Sequence, residues 1–307
     1  MEYTEHGLAK LNLTLRVLDI REDGYNNIKA LTLFCRDIYD VLTLTNIKDL
    51  EKDVLTIGVN STVEKNLDVG NNNLILKATE IFKRNLVDEI DMESNNSKNF
   101  KIVVEKHIPS GAGLGGGSAD GAAILRELNK IYESRFTIDE LLDLAMLLGS
   151  DVGACLYSQA LWMTQRGGTI ELIQNEDNSL DFLSGYKTLI ITPDIFCPTP
   201  EIYQHYDLIG RPTHEGIEVP QDFLMLTDNF HNDLEISALD KYDDLKEFKN
   251  HIEKITNEKF LLAGSGSSIF CILDVEKAES SYEKLLIQLE NELIHEKIRQ
   301  LAVSAIC

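Results

Sequence analysis

The chain of 307 residues is poor in cysteine, with five residues of this type. Cys35, Cys155, Cys197, Cys271 and Cys307 are odd in number, far apart and without the spacing of metal ligands. This argues against a disulfide framework and against a cysteine metal site. We predict that most of these residues are buried, reduced thiols.

Long apolar runs are also missing, since none reaches the ~18 residues of a membrane span. The N-terminal segment Met1–Lys10 carries two acids and no signal-peptide pattern. We therefore expect a cytoplasmic protein without a membrane partner.

Basic residues are scarce, with 29 Lys and Arg against 51 Asp and Glu, which gives a formal net charge of −22. The sequence shows no Lys/Arg cluster, so a nucleic-acid partner is not expected. An anionic small substrate remains compatible with this charge if loop amides, a few cations and Mg²⁺ create a local positive potential.

What the chain does contain is a glycine-rich stretch, Ile108–Ala123, which follows a strand-like run at Lys101–Glu105. Six of the 19 glycines lie between Gly111 and Gly121. Glycine allows positive φ and a close approach of the backbone to a ligand, and a helix start offers unpaired N–H groups. The stretch therefore predicts an anion cradle, most plausibly for phosphate.

Two familiar phosphate loops do not explain this stretch. A P-loop needs Gly-Lys-Ser/Thr, but here Ser118 follows the last glycine of the run without a lysine. The glycine spacing fits a Rossmann loop by count, yet a second helix from Thr137 follows where a strand with an acidic residue is required. A glycine-rich turn before a packed helix stays open, and Ser118 and Asp120 at the helix start argue against it.

The segment Leu8–Leu18 alternates in part between apolar and polar residues and predicts a strand with one buried face. Its polar face carries Lys10 and Asn12, for which exposure to solvent is the alternative to a role in a site. Asp151 precedes an apolar run, Val152–Tyr157. It either caps the next helical turn or faces Lys10 in a site, and the sequence leaves both open.

Strands and helices alternate along the chain, which indicates an α+β protein, and two domains are the default at this length. Further strands are predicted at Ile28–Leu44, Leu55–Val63, Lys101–Glu105, Ala160–Thr164, Thr169–Ile173, Thr188–Thr192, Phe260–Ala263, Ile269–Leu273 and Ile298–Ile306. Helices are predicted at Asn72–Phe82, Ala119–Tyr132, Thr137–Leu148, Glu201–Tyr206, Asp233–Leu239, Tyr242–Ile255 and Ala278–Glu292. Surface loops are predicted at Asp88–Asn99, Asn175–Gly185 and Leu208–Pro220.

Three motifs together resemble the GHMP kinases, the family of galactokinase, homoserine kinase, mevalonate kinase and phosphomevalonate kinase. The motifs are Ala9–Leu13 with Asp23–Tyr25, Pro109–Ala123, and Leu262–Ser268. Supporting matches are Gly149–Val152, Pro198–Tyr203 and Asn232–Asp233. Within the family the resemblance is strongest to the diphosphocytidyl-methylerythritol kinases, and it covers nearly the whole chain.

The resemblance implies a two-domain α+β fold. An ATP-binding domain like domain 2 of ribosomal protein S5 would occupy residues 1–158, and a ferredoxin-like α/β sandwich for the substrate would occupy residues 159–307. The implied activity is ATP-dependent phosphorylation of the 2-hydroxyl group of the diphosphocytidyl compound, in non-mevalonate isoprenoid synthesis. The protein would act on this small molecule as a monomer or homodimer.

The resemblance also implies roles for single residues. Asp151 would take the proton from the substrate hydroxyl, and Lys10 would hold Asp151 ionised and stabilise the moving phosphoryl group. The residues expected to bind ATP are Asn73, Pro109, Gly111, Ala112, Gly113, Leu114, Gly115, Gly116, Gly117 and Ser118, with Ser118 also near Mg²⁺. The residues expected to bind the substrate are Asn12, Tyr25, Asn26, Tyr203, Gly264, Ser265 and Gly266.

Two departures from the family pattern bear on the substrate. The diphosphocytidyl kinases have Asp-Gly-Tyr-His, with a histidine that recognises cytosine, where this chain has Asn26, and their Asp-Val-Pro is changed by Gly153. Asparagine still offers a donor and an acceptor to a base edge, and Tyr25 and Tyr203 offer stacking faces. The departures motivate a sister kinase for another alcohol as the alternative. A nucleotide-binding protein without activity is a third reading.

Overall fold

The computed structural model describes residues 1–63, 67–87, 98–173, 183, 185–210, 230–291 and 298–307. The strands are β1 Glu2–Ile20, β2 Asn26–Asn46, β3 Val54–Ile57, β4 Phe100–Glu105, β5 Leu161–Gln165, β6 Thr169–Leu172, β7 Tyr186–Pro193, β8 His231–Asn232, β9 Leu261–Leu262, β10 Ile269–Asp274 and β11 Ile298–Ala305. The helices are α1 Leu74–Val87, α2 Gly116–Ile131, α3 Ile138–Leu148, α4 Val152–Tyr157, α5 Thr199–Ile209, α6 Asp233–Lys241, α7 Asp243–Thr256 and α8 Val275–Asn291. These elements confirm the α+β prediction.

The three predicted surface loops lie for most of their length outside the described residues. The described part of the chain contains no helix with both the length and the apolar character that a membrane crossing requires.

The chain folds into two compact units, and each unit is assembled from separated stretches. The first unit contains residues 1–9, 39–108 and 115–158, and the second contains residues 10–38, 109–114 and 159–307. The two long strands β1 and β2 contribute residues to both units. The division into domains at residues 1–158 and 159–307 stays a prediction.

The first unit combines a sheet with helices α1 to α4. The later half of β2 pairs antiparallel with β4, and β4 pairs parallel with β3. Helix α1 packs against α2, and the buried ring of Phe82 meets Phe136 edge to face at 5.0 Å between ring centroids. A capping box at Thr137 starts α3, as the Thr-x-x-Glu pattern leads one to expect.

Strand β3 is shorter than the predicted Leu55–Val63, because the chain turns immediately after Ile57. The N–H of Gly58 still donates to the carbonyl of Val104, at 2.7 Å, but the N–H of Ser61 turns back to the carbonyl of Gly58, at 3.2 Å. The strand prediction beyond Ile57 is therefore wrong.

The second unit contains a four-stranded antiparallel sheet in the order β11, β7, β10, β9. Helix α8 packs against β7, β10 and β11, and α5 packs against α6. In the same unit the first half of β2 pairs with β5, β5 pairs with β6, and β1 pairs parallel with β8. The strands predicted at Ala160–Thr164, Thr169–Ile173 and Ile298–Ile306 are confirmed.

The prediction of one buried face for β1 is wrong, because its polar face is buried as well. Lys10, Asn12 and Thr14 are each 5% exposed or less. The ammonium of Lys10 donates to Oδ1 of Asn12 at 2.8 Å, and Oγ1 of Thr14 accepts the N–H of Leu31 at 3.3 Å. Buried polar groups need such partners. Alternation alone could not reveal this, since it reports polarity rather than what covers a strand.

All five cysteines are free thiols, and every one except Cys307 is buried. Burial raises the pKa of the Cys197 thiol to about 11. Burial likewise raises the pKa of Cys35 and Cys271. The prediction of buried, reduced thiols is confirmed for four of the five residues.

Candidate active site

The first part of the glycine stretch, residues 109–114, packs in the second unit against the serine-rich loop, residues 263–268. The N–H of Ser268 donates to the carbonyl of Ala112 at 3.1 Å. Gly113 has φ of +78°, and a Cβ at this position would lie 1.8 Å from the carbonyl oxygen of Ala263. The carbonyl of Leu114 accepts the N–H of Lys10 at 2.9 Å. Residues of all three sequence motifs therefore meet in the second unit.

Gly111 and its neighbours complete this part of the stretch. A Cβ on Gly111 would lie 2.5 Å from Cε2 of Phe196, an aromatic residue that is otherwise exposed. Pro109 and Ala112 are buried, whereas the carbonyl of Ser110 accepts a hydrogen bond from Nη1 of Arg299 at 3.1 Å. The stretch is thus anchored along its length.

The serine-rich loop is held by its own side chains. Ser265 pairs with Oγ1 of Thr199 at 2.7 Å, and Ser268 pairs with Oγ1 of Thr192 at 2.7 Å. The hydroxyl of Ser267 donates to the carbonyl of Ile195 at 2.5 Å. Gly264, Ser265 and Gly266 are buried within this loop, and their contact with a substrate stays a prediction.

Asn232 supports the same loop from the start of α6. Its Oδ1 caps the helix by accepting the N–H of Leu234 at 2.9 Å, and its Nδ2 donates to the carbonyls of Leu262 at 2.8 Å and Gly264 at 2.7 Å. The neighbouring Asp233 is buried and accepts the N–H of Val17 at 2.7 Å. An asparagine directly before a helix is typical of an N-cap. The contacts of Asn232 with the serine-rich loop have no such signal in the neighbouring sequence.

The second part of the glycine stretch lies in the first unit and begins α2. Gly115 has φ of 71° and occupies the N-cap position, so the helix starts at Gly116. The predicted start at Ala119 is therefore wrong, since Gly116, Gly117 and Ser118 form the first helical turn rather than a loop. Such a turn presents N–H groups without intrahelical partners and a partial positive charge. Ser118 is half-buried within it.

A buried ion cluster behind this turn was missed by the sequence analysis. Lys106 is 1% exposed, and its Nζ donates to Oδ2 of Asp120 at 2.7 Å and to Asp40. Asp40 also accepts the backbone N–H groups of His107 at 2.6 Å and Ile108 at 2.9 Å. These contacts join β2, the entry to the glycine stretch and α2. Partners 66 and 14 residues apart leave no local pattern.

The charges in this cluster are strongly coupled. Burial would lower the pKa of Lys106, but Asp120 and Asp40 outweigh that effect, so its pKa is raised and it stays an ammonium. Burial raises the pKa of Asp120 well above its ordinary value, with Asp40 adding to the rise and Lys106 opposing it. Oδ1 of Asp120 is also buried without a hydrogen-bond partner among the described residues. Asp120 is therefore a carboxyl that readily takes up a proton.

The two predicted catalytic residues have distinct surroundings. Lys10 is buried on β1 with its ammonium on Asn12. Asp151 is half-buried at the N-cap position of α4, but its side chain makes no capping hydrogen bond. The capping alternative for Asp151 is therefore wrong. The pairing of Lys10 with Asp151 stays a prediction.

The remaining predicted ligand residues lie on three elements. Asn73 caps α1 by accepting the N–H of Ile75 at 2.9 Å. Tyr25 lies half-exposed in the turn between β1 and β2, followed by Asn26 at the start of β2. Tyr203 is half-buried on α5. Their roles in binding stay predictions.

Comparisons with known proteins agree with these motifs. The family described as "GHMP kinases N terminal domain" matches residues 73–159. A 4-diphosphocytidyl-2-C-methyl-D-erythritol kinase of Clostridium tetani (strain Massachusetts / E88) is 33% identical over 286 residues, covering 90% of this chain and 93% of that protein. The enzyme of the same name from Enterococcus faecalis (strain ATCC 700802 / V583) is 30% identical over 291 residues, covering 93% of this chain and 95% of that protein.

Solved structures show the same fold. A crystal structure of 4-(cytidine 5'-diphospho)-2C-methyl-D-erythritol kinase has a TM-score of 0.69 and 25% identity, covering 94% of this chain and 96% of that one. The mevalonate kinase of Methanococcus jannaschii has a TM-score of 0.61 at 16% identity, covering 100% and 98%.

The contact between Gly113 and Ala263 predicts that a single methyl group is not tolerated in the stretch. Gly113→Ala places a Cβ against a backbone carbonyl at a positive φ, so we expect a loss of about 2 kcal/mol or more in the free energy of unfolding. Gly121→Ala, within α2, is the matched control, because a Cβ there would have its nearest neighbours 3.8 Å away on other helices and alanine favours a helix by about 1 kcal/mol over glycine. Urea denaturation measures both, and equal stabilities would contradict the packing.

The ion cluster predicts that the difference in stability between the wild type and Asp120→Asn depends on pH. The folded pKa of Asp120 is raised above 3.8, so its stabilising contribution is present below the unfolded pKa and is lost as pH rises through the folded pKa. At pH values above the folded pKa, each unit by which the pKa is raised lowers the free energy of unfolding by about 1.4 kcal/mol. The amide does not titrate, so the stability of the variant relative to the wild type should increase from pH 4 to pH 8. Denaturation curves across this range test it, and a constant difference would contradict it.

Proposed function

The chain belongs to the GHMP kinase family, and we propose that it transfers the γ-phosphoryl group of ATP to the 2-hydroxyl group of 4-diphosphocytidyl-2-C-methyl-D-erythritol. It is an ATP-dependent phosphotransferase. The observation that carries the substrate is the similarity to kinases of that name along 93% of this chain and 95% of the relative. The reaction is a step of non-mevalonate isoprenoid precursor synthesis.

The glycine stretch supports ATP as the phosphoryl donor. Gly111, Gly113 and Gly115 all have positive φ, of 68°, 78° and 71°. Successive turns of this kind bring backbone N–H groups into a concave arrangement that suits anions. The start of α2 adds its partial positive charge. In phosphoryl transfer most of the catalytic work is positioning and electrostatic stabilisation, which such a cradle supplies.

A magnesium ion fits the same end of the stretch. Ser118 offers a neutral hydroxyl oxygen within the first turn of α2, and Mg²⁺ prefers oxygen ligands that include substrate phosphates. We propose that Ser118 holds the ion, which would neutralise charge on the phosphates. Asn73 at the start of α1 is proposed to lie near the adenine.

Lys10 and Asp151 are proposed as the catalytic residues. Asp151, at the N-cap position of α4, would accept the proton of the substrate hydroxyl. Lys10 has a fixed position, because Asn12 holds its ammonium and Leu114 holds its N–H. An ammonium there would keep a nearby carboxylate ionised and stabilise charge on the moving phosphoryl group.

A second candidate is a sister kinase that phosphorylates another alcohol. Two residues favour it, Asn26 where the diphosphocytidyl kinases have a histidine and Gly153 where they have proline. Asparagine is shorter than histidine and lacks the ring, so the recognition of cytosine would have to rest on other contacts. A protein that binds nucleotide without activity is the third reading, and the presence of both Lys10 and Asp151 argues against it.

An ADP-release assay with a panel of alcohols tests this proposal. With Mg-ATP we expect turnover of the diphosphocytidyl compound but not of mevalonate or homoserine. Asp151→Asn should lower kcat by about 10²–10⁴-fold because the proton acceptor is lost, while ATP binding is retained. Asp143→Asn, which changes an exposed acid on α3, is the matched control and should leave kcat unchanged.

The alternatives make different predictions in the same assay. Turnover of mevalonate or homoserine without turnover of the diphosphocytidyl compound would establish a sister kinase. ATP binding without turnover of any alcohol would establish a nucleotide-binding protein. Equal loss of kcat in the two aspartate variants would remove Asp151 from its proposed role.

A further inference from the structure

The turn between β1 and β2 fixes the backbone of Tyr25. Oδ1 of Asp23 accepts the N–H of Tyr25 and the Nε of Arg21, both at 3.2 Å. The N–H of Arg21 donates to the carbonyl of Tyr25 at 2.7 Å, and the N–H of Gly24 donates to the carbonyl of Arg21 at 3.0 Å. The turn is therefore closed by its own hydrogen bonds. These bonds hold the backbone but not the aromatic ring, which is 50% exposed.

The ring is held by Arg166, a residue from the hairpin between β5 and β6. The guanidinium carbon of Arg166 lies 3.6 Å from the centroid of the Tyr25 ring. The register of β2 and β5 explains the contact, because Ile28 lies opposite Gln165 and so places the two turns side by side. Gln165 and Gly167 have φ of 58° and 90°, and they turn the chain on either side of Arg166.

This contact covers one face of the ring and has a cost. A planar guanidinium at such a distance stacks on an aromatic face, so the exposed half of Tyr25 is the part that Arg166 leaves uncovered. The Nε of Arg166 is buried and has no hydrogen-bond partner within the described residues. A buried donor without a partner costs about 1–3 kcal/mol. The cation–π contact with Tyr25 contributes about 0.5–1 kcal/mol at an exposed site, which does not offset this cost.

The charge of Arg166 also acts on this turn. The pKa of the Asp23 carboxyl is lowered by the hydrogen bond from the N–H of Tyr25, and then by the charges of Arg21 and Arg166. Arg21 is paired with Asp23, and Asp19 and Glu22 are further acids at this turn, so Arg166 brings a cation from the neighbouring hairpin to an otherwise acidic turn. The feature of a nucleoside diphosphate that the turn would recognise is its flat base, which can stack on the Tyr25 ring.

We infer that Arg166 is a positioning residue that holds the Tyr25 ring as a stacking platform for the pyrimidine base of a nucleoside diphosphate substrate. The inference rests on the proposed function and extends it, because it names a residue that secures base recognition in a chain with Asn26 in place of histidine. Arg166 acts through Tyr25. It therefore sets the affinity for compounds with a base and leaves the phosphoryl transfer itself to other residues.

Steady-state kinetics of two variants test this inference. Arg166→Lys keeps the charge but loses the planar stacking group, and Arg166→Gln loses both. We expect both to raise KM for the diphosphocytidyl compound by about 3- to 30-fold, which corresponds to a stacking contact of this type. The kcat and the KM for ATP should change by less than about twofold. Tyr25→Ala should raise the same KM, and Arg166→Gln should add nothing to it, since coupled residues are not additive.

A direct binding measurement separates this role from a structural one. Calorimetry with cytidine 5'-diphosphate should show that Arg166→Lys and Arg166→Gln bind it more weakly, by the same factor by which their KM rises. Thermal unfolding should show that both variants stay folded. Wild-type KM and cytidine 5'-diphosphate affinity in Arg166→Lys would overturn the inference, because charge alone would then be sufficient. An additive double variant, or equal losses of kcat and of affinity, would also overturn it.

The outcomes for the inference and for the proposed function are distinct. If the wild type does not phosphorylate the diphosphocytidyl compound, the proposed function fails, and the inference fails with it. If the wild type is active and the Arg166 variants have unchanged KM, only the inference fails.

Discussion

The buried ammonium of Lys106 is the interaction on which the glycine stretch depends. It neutralises Asp40, which orients the backbone of His107 and Ile108 at the entry to the stretch, and Asp120, which lies on α2. Without this cation the Asp40 carboxylate would lie out of water beside Asp120 with no positive partner in the cluster, at a cost of several kcal/mol. The cluster thus ties the entry of the glycine stretch to β2 and to the first turns of α2 within the first unit.

A second constraint acts on the other part of the stretch. The backbones at Gly113 and Ala263 meet where no side chain fits, and this contact joins segments that are far apart in sequence. Asn232 and Thr199 hold the serine-rich loop by side-chain hydrogen bonds. Fixed backbone N–H and carbonyl groups need no reorganisation when a ligand binds, which is how preorganised sites lower the cost of phosphoryl transfer. Both constraints serve rigidity rather than recognition.

Much of the fold follows from local patterns, because strand and helix periods and caps such as Thr137 and Asn73 are written in adjacent residues. The errors arise where tertiary contacts decide. The polar face of β1 is covered by other elements, and α2 starts early because Gly115 adopts a left-handed cap. The partners of Lys106 and the ring under Arg166 are distant in sequence, so pattern could not find them. The glycine stretch could be recognised from the sequence but the contacts that hold it could not, and its role in binding phosphate stays a prediction.

The central claim is that this family member moves a phosphoryl group from ATP to an alcohol. The most direct measurement is a ³¹P NMR spectrum of the protein with Mg-ATP and 4-diphosphocytidyl-2-C-methyl-D-erythritol, recorded as the reaction proceeds. We predict that ADP and a new phosphomonoester appear in equal amounts as the γ-phosphoryl signal of ATP disappears. ADP accompanied by inorganic phosphate alone, or an unchanged ATP spectrum, would contradict the account.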